Sequence, residues 1–268
     1  MINKLNDASA LSVALRDFPL SECMARTPLD ELVSRLNSYV TRRDHHIFAV
    51  HDNDVLTGIF AFLILPDERY IELLELLTEN ESAACEMLEF IRSRYSGFNL
   101  DCVFNPENCA VSAALSDMGA DFEPVQVSLR CSTTIAYNSN LDVQPLSEKY
   151  HDEYMSIHAK DCYWTAERVI ASRGAFNVLI ALEHEKVVGY IDFTVNADES
   201  EIFDLFVDSS VRSGGFERAL IADAVRCVAP KSVFVVVDED DADMLSIYQS
   251  LGFDTVENGR MVTASTVL

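Results

Sequence analysis

The stretch Glu201–Leu220, EIFDLFVDSSVRSGGFERAL, reads as a strand, a glycine-bearing turn and the start of a helix. Ile202–Val207 is rich in β-branched and aromatic residues, which suits a buried strand. Asp208-Ser209-Ser210 interrupts the apolar run, and Gly214-Gly215 frees the backbone to turn tightly. Beyond the turn, Leu220, Ala224 and Val228 recur at i, i+4 and i+8 with Ile221 and Val225 beside them, so one helix face is apolar. A strand entering a helix this way leaves backbone N–H groups uncommitted at the helix N-terminus, where the dipole also favours an anion. The turn alone does not separate an anion site from a plain strand–turn–helix corner.

The 268 residues allow one large domain or two ordinary ones, and an apolar content of 49% is ample for a core. Apolar runs such as Ile59–Leu65 are too short to span a bilayer, and the N-terminal MINKLNDASALSVALRDF lacks a sustained apolar segment. Neither a membrane partner nor a signal peptide is expected. The seven cysteines are scattered without a CxxC pair, and the six histidines do not cluster with them. That usage fits reduced thiols in a cytoplasm and no metal site. A net charge of −24 has the wrong sign for a nucleic-acid surface. It favours solubility, and a field of this sign also draws in cationic substrates such as amines.

Working outward, the same alternation of elements runs through the chain twice. Residues 1–40 read as helical: Ser21, Thr27 and Pro28-Leu29-Asp30-Glu31 carry start signals, and Leu29, Leu32, Val33 and Leu36 fall at helical spacing. Arg42–His46 reads as a polar break. Ile47–Val50 and Leu56–Leu65 flank the turn residues His51–Asp54 as a hairpin, and Tyr70–Leu77 is a third strand. Ala83–Ile91 is helical, Leu100–Phe104 a strand, Asn108–Met118 a helix stopped at Gly119, and Pro124–Arg130 a last strand. The polar Cys131–Asn140 is a crossover. Asp142–Leu146 then opens a second round, with helices at Glu148–His158 and Ala166–Ser172 and a hairpin of Phe176–Ala181 and Val187–Val195 about Glu183–Lys186. After the opening stretch come the strand Ser232–Val237 and a helix Asp241–Leu251 stopped at Gly252. The strands Phe253–Val256 and Arg260–Val267 are expected to finish the second sheet. Gly58 aligns with Gly189, Leu77 with Val207, Leu100, Cys102 and Phe104 with Val233, Val235 and Val237, and Gly119 with Gly252. An offset that drifts so little suggests two copies of one domain.

Three features of the second half occur together. Val207 precedes Arg212-Ser213-Gly214-Gly215-Phe216-Glu217, Tyr248 stands four residues before Gly252-Phe253, and Gly189 lies near the start of its strand. On these residues Leu141–Val267 resembles the GNAT superfamily of acetyl-CoA-dependent N-acyltransferases, and the first half resembles the same fold more faintly. The resemblance implies an α/β (α+β) protein of two GNAT-like domains, residues 1–132 and 140–268, each a mixed, mostly antiparallel twisted sheet flanked by helices. It implies that backbone N–H groups of Arg212, Ser213, Gly214, Gly215, Phe216, Glu217, Arg218 and Ala219 bind the pyrophosphate of acetyl-CoA. Leu205, Phe206 and Val207, facing Val233–Val237, would hold the pantetheine arm. Tyr248 would protonate the leaving thiolate, although its spacing with Met244, Ile247 and Leu251 also suits a core tyrosine. An amine attacking the thioester must lose a proton, for which Asp204, Glu201 and Asp238 are candidates. The acids Glu239, Asp240, Asp241 and Asp243 read as a solvated loop face. Tyr163 and Trp164 are candidate walls of an acceptor pocket.

Two residues depart from the family pattern. Glu217 stands where the family has Gly or Ala, and a carboxylate held about 4 Å from a phosphate at near-surface dielectric costs on the order of 4 kcal/mol. Ala242 stands where the family often has Asn. In the first half, Leu77 is followed by Thr78-Glu79-Asn80-Glu81-Ser82 with no glycine or basic residue, and Leu115 takes the place of Tyr248. A degenerate first copy that binds no coenzyme is expected. The reading is therefore an acetyl transferase acting on an amine, and its competitor is a non-catalytic module that binds a small ligand or a protein.

Overall fold

The computed structural model describes every residue except 19, 21–28, 161, 163, 173, 196–198 and 212–213. Ser21, Thr27, Pro28, Tyr163, Arg212 and Ser213, singled out from the sequence, thus lie outside the described residues. The elements begin β1 (Ile2–Lys4), α1 (Ala8–Asp17), α2 (Leu29–Val40), β2 (His45–Asp52), β3 (Val55–Leu65), β4 (Tyr70–Leu77), α3 (Glu81–Arg94), β5 (Asn99–Phe104), α4 (Cys109–Asp117) and β6 (Asp121–Phe122). They continue β7 (Gln126–Cys131), β8 (Asp142–Pro145), α5 (His151–Ile157), α6 (Ala166–Ala171), β9 (Phe176–Glu183) and β10 (Lys186–Thr194). The last are β11 (Glu199–Val207), α7 (Phe216–Val228), β12 (Ser232–Asp238), α8 (Ala242–Ser250) and β13 (Asp254–Val267).

The fold is mixed α/β, with mostly antiparallel sheet flanked by helices, in two compact units. The first comprises Met1–Val127 together with Glu257–Leu268, and the second Ser128–Val256. In the first unit the strand order is β1-β2-β3-β4-β5-β13, with β4 and β5 the parallel pair. In the second, β8-β9-β10-β11-β12 follow one another with β11 and β12 parallel, and β7 lies beside β12. These units differ from the contiguous segments 1–132 and 140–268. Residues 254–267 form one strand, not two, and from Asn99↔Val267 to Phe104↔Val262 it pairs with β5 of the first unit. Val262 and Ala264 are accordingly buried in the first unit's core. Alternating apolar residues declare a strand, but they do not name the sheet edge it joins.

Each sheet is covered on both faces. In the first unit, α3 and α4 cover one face through Met87, Leu88, Ile91, Val111 and Leu115, and α1 and α2 cover the other through Leu11, Leu32 and Leu36. In the second, α7 covers one face with Leu220, Ile221, Ala224 and Val225, and α5 and α6 the other with Tyr154 and Ala166. The two hairpins turn alike: Asn53 and Asp54 both have positive φ (46° and 65°), as do His184 and Glu185 (51° and 63°). Such turns match the twist of the strands they join. The polar break at Arg42–His46 is shorter than expected, because His45 and His46 already pair with Leu63 and Phe62. β1 was not legible in the sequence. It is three residues long and pairs with β2 from Ile2↔Val50 to Lys4↔Phe48.

Candidate functional site

The ladder between β11 and β12 ends at Ile202↔Val235, although β11 runs on to Val207 and β12 to Asp238. Beyond that register the strands diverge, and a cavity of about 170 Å³ opens between them, lined by Phe203, Asp204, Leu205, Val236, Met244 and Tyr248 among others. A wider cavity of about 480 Å³ shares Leu205 and Met244 and adds Phe206, Val207, Glu217 and Arg218. The β12-facing edge of the last five residues of β11 thus carries no strand.

Gly215 caps α7 in the left-handed region, with φ 81°. A side chain there would be strained, and its Cβ would lie 3.3 Å from the Tyr137 hydroxyl. Among the described residues no side chain caps the helix, and its first internal bond is donated by the Ala219 N–H to the Gly215 carbonyl at 3.1 Å. The N–H groups of Phe216, Glu217 and Arg218 therefore have no partner among the described residues. The Phe216 and Ala219 side chains turn into the core, so those residues can offer only backbone. Glu217 does not swing out to solvent. It is 8% exposed, lines the wider cavity and makes no hydrogen bond or ion pair with a described residue. Glu239, Asp240, Asp241 and Asp243 are all exposed, as a solvated face requires; Asp241 and Asp243 also line the same cavity, and Asp241 caps α8 by accepting from the Met244 N–H at 3.0 Å.

Tyr248 is 2% exposed and stands edge-on to Phe253 at 5.1 Å. It is a core tyrosine that also lines the cavity between the strands. Burial first, and the Asp204 charge second, push its hydroxyl above the ordinary value, so it stays protonated.

Asp204 heads a buried polar network. The Tyr190 hydroxyl donates to Asp204 Oδ2 at 2.6 Å, and the Tyr154 hydroxyl donates to Asp192 Oδ2 at 2.7 Å. His158 Nε2 lies 3.0 Å from Asp192 Oδ2 and 3.8 Å from Asp204 Oδ2. His158 Nδ1 is 2.8 Å from the Ala159 carbonyl, which can only accept, so this nitrogen carries a proton. Burial works against charge on His158, but Asp192 and the Ala159 carbonyl outweigh it and raise its pKa. Burial likewise raises Asp192, whose Oδ1 has no partner among the described residues. The ring of His158 stacks on Tyr190 at 5.0 Å and 12°. Tyr154, His158, Tyr190 and Asp192 were missed in the sequence reading. The signal was a lone acid, Asp192, inside an otherwise apolar strand, since a fully buried carboxylate requires partners.

The other expected residues lie further out. Glu201 sits two residues before Phe203 on β11, and burial followed by Glu199 pushes its carboxyl up to about 7. Asp238 ends β12, and neither it nor Glu201 lines the cavity between the strands. Among the described residues no group of three or more His, Cys, Asp and Glu side chains is placed to hold a metal ion. No described helix is long and apolar enough to cross a membrane.

The first unit repeats the strand geometry. Its ladder between β4 and β5 ends at Leu73↔Cys102. The N-terminus of α3 is closed by Asn80, whose side chain accepts from the Ala83 N–H. Glu75 is buried and bonded to Arg35 at 2.6 Å.

Residues 145–264 match the family model described as Acetyltransferase (GNAT) domain. No curated protein matches the chain. Among solved structures, the chain is similar to a GCN5-related N-acetyltransferase from Sphaerobacter thermophilus, at 10% identity and TM-score 0.60, over 88% of this chain and 84% of that one. It is similar to a tandem GNAT protein from the clavulanic acid biosynthesis pathway, at 13% identity and TM-score 0.53, over 99% and 98% of the two chains. A GCN5-related N-acetyltransferase from Kribbella flavida gives 13% identity and TM-score 0.55 over 90% and 96%. Identities this low speak to fold alone. The strand divergence, the left-handed turn into α7 and the family-model match agree in giving the C-terminal region, residues 145–264, the fold of a GNAT acetyltransferase domain.

Proposed function

We propose that the GNAT domain transfers an acyl group, acetyl in the first instance, from a coenzyme A thioester to an amine. The observation that carries this reading is the cavity between β11 and β12, where Asp204 and Tyr248 converge on one space. The open edge of Leu205–Val207 suits an extended amide-bearing arm, and the uncommitted N–H groups of Phe216, Glu217 and Arg218 suit its diphosphate. The thioester supplies an activated acyl carbon and a thiolate leaving group. Asp204 takes the proton that the amine sheds as the C–N bond forms, and His158 and Asp192 behind it spread the charge. Tyr248 returns a proton to the sulfur.

Glu217 sets the strength of the coenzyme site. Helix-end stabilisation of an anion is worth about 0.3–1 kcal/mol, whereas an unscreened carboxylate near the diphosphate costs on the order of 4 kcal/mol. The carboxylate wins unless it moves or Arg218 neutralises it, so the unaltered chain binds acetyl-CoA weakly. The same residue favours a second reading, a GNAT fold kept as a small-ligand or protein-binding module. The first unit is the degenerate copy, with its helix N-terminus closed by Asn80 and Leu115 in place of Tyr248.

Calorimetric titration of acetyl-CoA into the unaltered chain and Glu217→Gly tests this. Tightening by about tenfold or more in Glu217→Gly, with acetyl transfer to an amine by either protein, is expected. Binding without transfer to any of a broad amine panel supports the module. No binding to either protein overturns the coenzyme reading.

A further inference from the structure

β11 carries one residue more than its neighbour where Asp192 faces Asp204 but Phe193 faces Ile202, so Phe203 has no partner across the ladder. An inserted residue breaks the alternation of faces. Ile202, Leu205 and Val207 pack with the α7 core. Phe203 and Asp204 both meet groups of the other face: Phe203 lies edge-on to Trp164 at 6.2 Å and to Phe176 at 5.7 Å, and Asp204 accepts from Tyr190. Glu201 shares that face by alternation with Ser200 and Ile202, which are buried. The bulge therefore sets an aromatic ring between two carboxylates along one face of β11, with Phe203 and Asp204 lining the cavity between the strands and Glu201 just outside it.

These groups are not spent on the fold. Phe203 is 45% exposed although two aromatic rings back it. Asp204 uses one oxygen for Tyr190, and its other oxygen makes no hydrogen bond to a described residue. The Glu201 side chain makes no hydrogen bond or ion pair with a described residue, whereas Glu199 nearby is neutralised by Arg130 at 2.7 Å. Asp192 behind them adds a buried oxygen without a partner among the described residues. Such a lining attracts an ammonium, offers its carbon skeleton an aromatic wall, and repels a carboxylate.

We infer that the acceptor is a primary amine on an apolar, preferably aromatic, skeleton that bears no carboxylate. This rests on the acyl-transfer reading above. The ammonium would stand at Asp204, where it is deprotonated, while the ring lies against Phe203 and Trp164.

The test measures binding of 2-phenylethylamine, methylamine and phenylalanine to the full chain by calorimetry at pH 8, with and without saturating coenzyme A. Phenylethylamine should bind about tenfold or more tighter than either of the others. Phe203→Ala should erase most of the advantage over methylamine, and Phe203→Leu should keep part of it while melting like the unaltered chain. Phenylalanine binding as well as phenylethylamine, or an aromatic advantage that survives Phe203→Ala, overturns the inference. Acetyl transfer is scored separately. Transfer to small polar amines, with phenylethylamine neither bound nor acetylated, sinks the acceptor class and leaves acyl transfer standing. Selective phenylethylamine binding with no transfer to any amine supports the pocket's preference and sinks acyl transfer.

Discussion

His158 and Asp192 show how much one buried residue can hold. His158 is 4% exposed and is tied to Asp192 and the Ala159 carbonyl at once. His158→Ala would leave a buried carboxylate with Tyr154 as its remaining donor, and should cost about 3 kcal/mol or more in denaturant unfolding. Glu201 makes a prediction of the opposite kind. Its carboxyl is pushed from 4.5 up to about 7 in the folded chain, so the folded state holds the proton more tightly than the unfolded state. Its contribution is favourable at low pH and is lost as pH rises from about 4.5 through 7, by on the order of 2 kcal/mol once partial exposure is allowed for. Glu201→Gln should therefore match the unaltered chain near pH 4 and exceed it in stability at pH 8. Thermal melts across that range would read the crossover. The residues that carry family motifs, Tyr248, Gly215 and Glu217, were legible in sequence because their spacing is local. The partners of Asp204 were not, because Tyr154, His158, Tyr190 and Asp192 come from separate elements and meet only when the sheet is assembled.

Among the elements, the two hairpins and the strands after them repeat each other down to a one-residue irregularity. In the first unit Ala61 faces Glu75 and Phe62 faces Leu73, so Leu74 is the extra residue, as Phe203 is in the second. Sequence alignment set Leu77 against Val207. The ladders correct this by one: Gly189 faces Val207, and Gly58 lies one step beyond Ile59↔Leu77, against Thr78. Both units carry the bulge at the same step, so it is the connection between the paired strands, two residues longer in the first unit (Phe62 to Leu73 against Phe193 to Ile202), that shifts the alignment. Both glycines are required by close approach. A Cβ at Gly189 would lie 2.7 Å from the Phe206 carbonyl oxygen, whereas at Gly58 the nearest atom, at 2.7 Å, belongs to the Phe60 ring. A ring can rotate away but a ladder backbone cannot. Gly189→Ala should cost about 1–3 kcal/mol and Gly58→Ala less, measured side by side in urea.

For the whole molecule, the decisive feature is the last strand. Residues 257–268 complete the first unit, and Ala264, 1% exposed, packs in its core. Ala264→Asp should quicken hydrogen exchange at Leu100–Phe104 by about tenfold or more, while Val233–Val237 keeps its protection. Equal loss in both segments would show that the strand serves the second unit as well.

The sequence by itself determined the class of fold, the number and order of most elements, the hairpin turns, and the strand–turn–helix corner with its anomalous Glu217, because these follow from periodicity and turn chemistry within short windows. Only the tertiary structure decided which sheet takes β13, where β11 bulges, that Glu217 stays inside its cavity, and that a histidine and three neighbours back Asp204. Those outcomes depend on pairing and burial between residues far apart in the chain, and local pattern does not encode them.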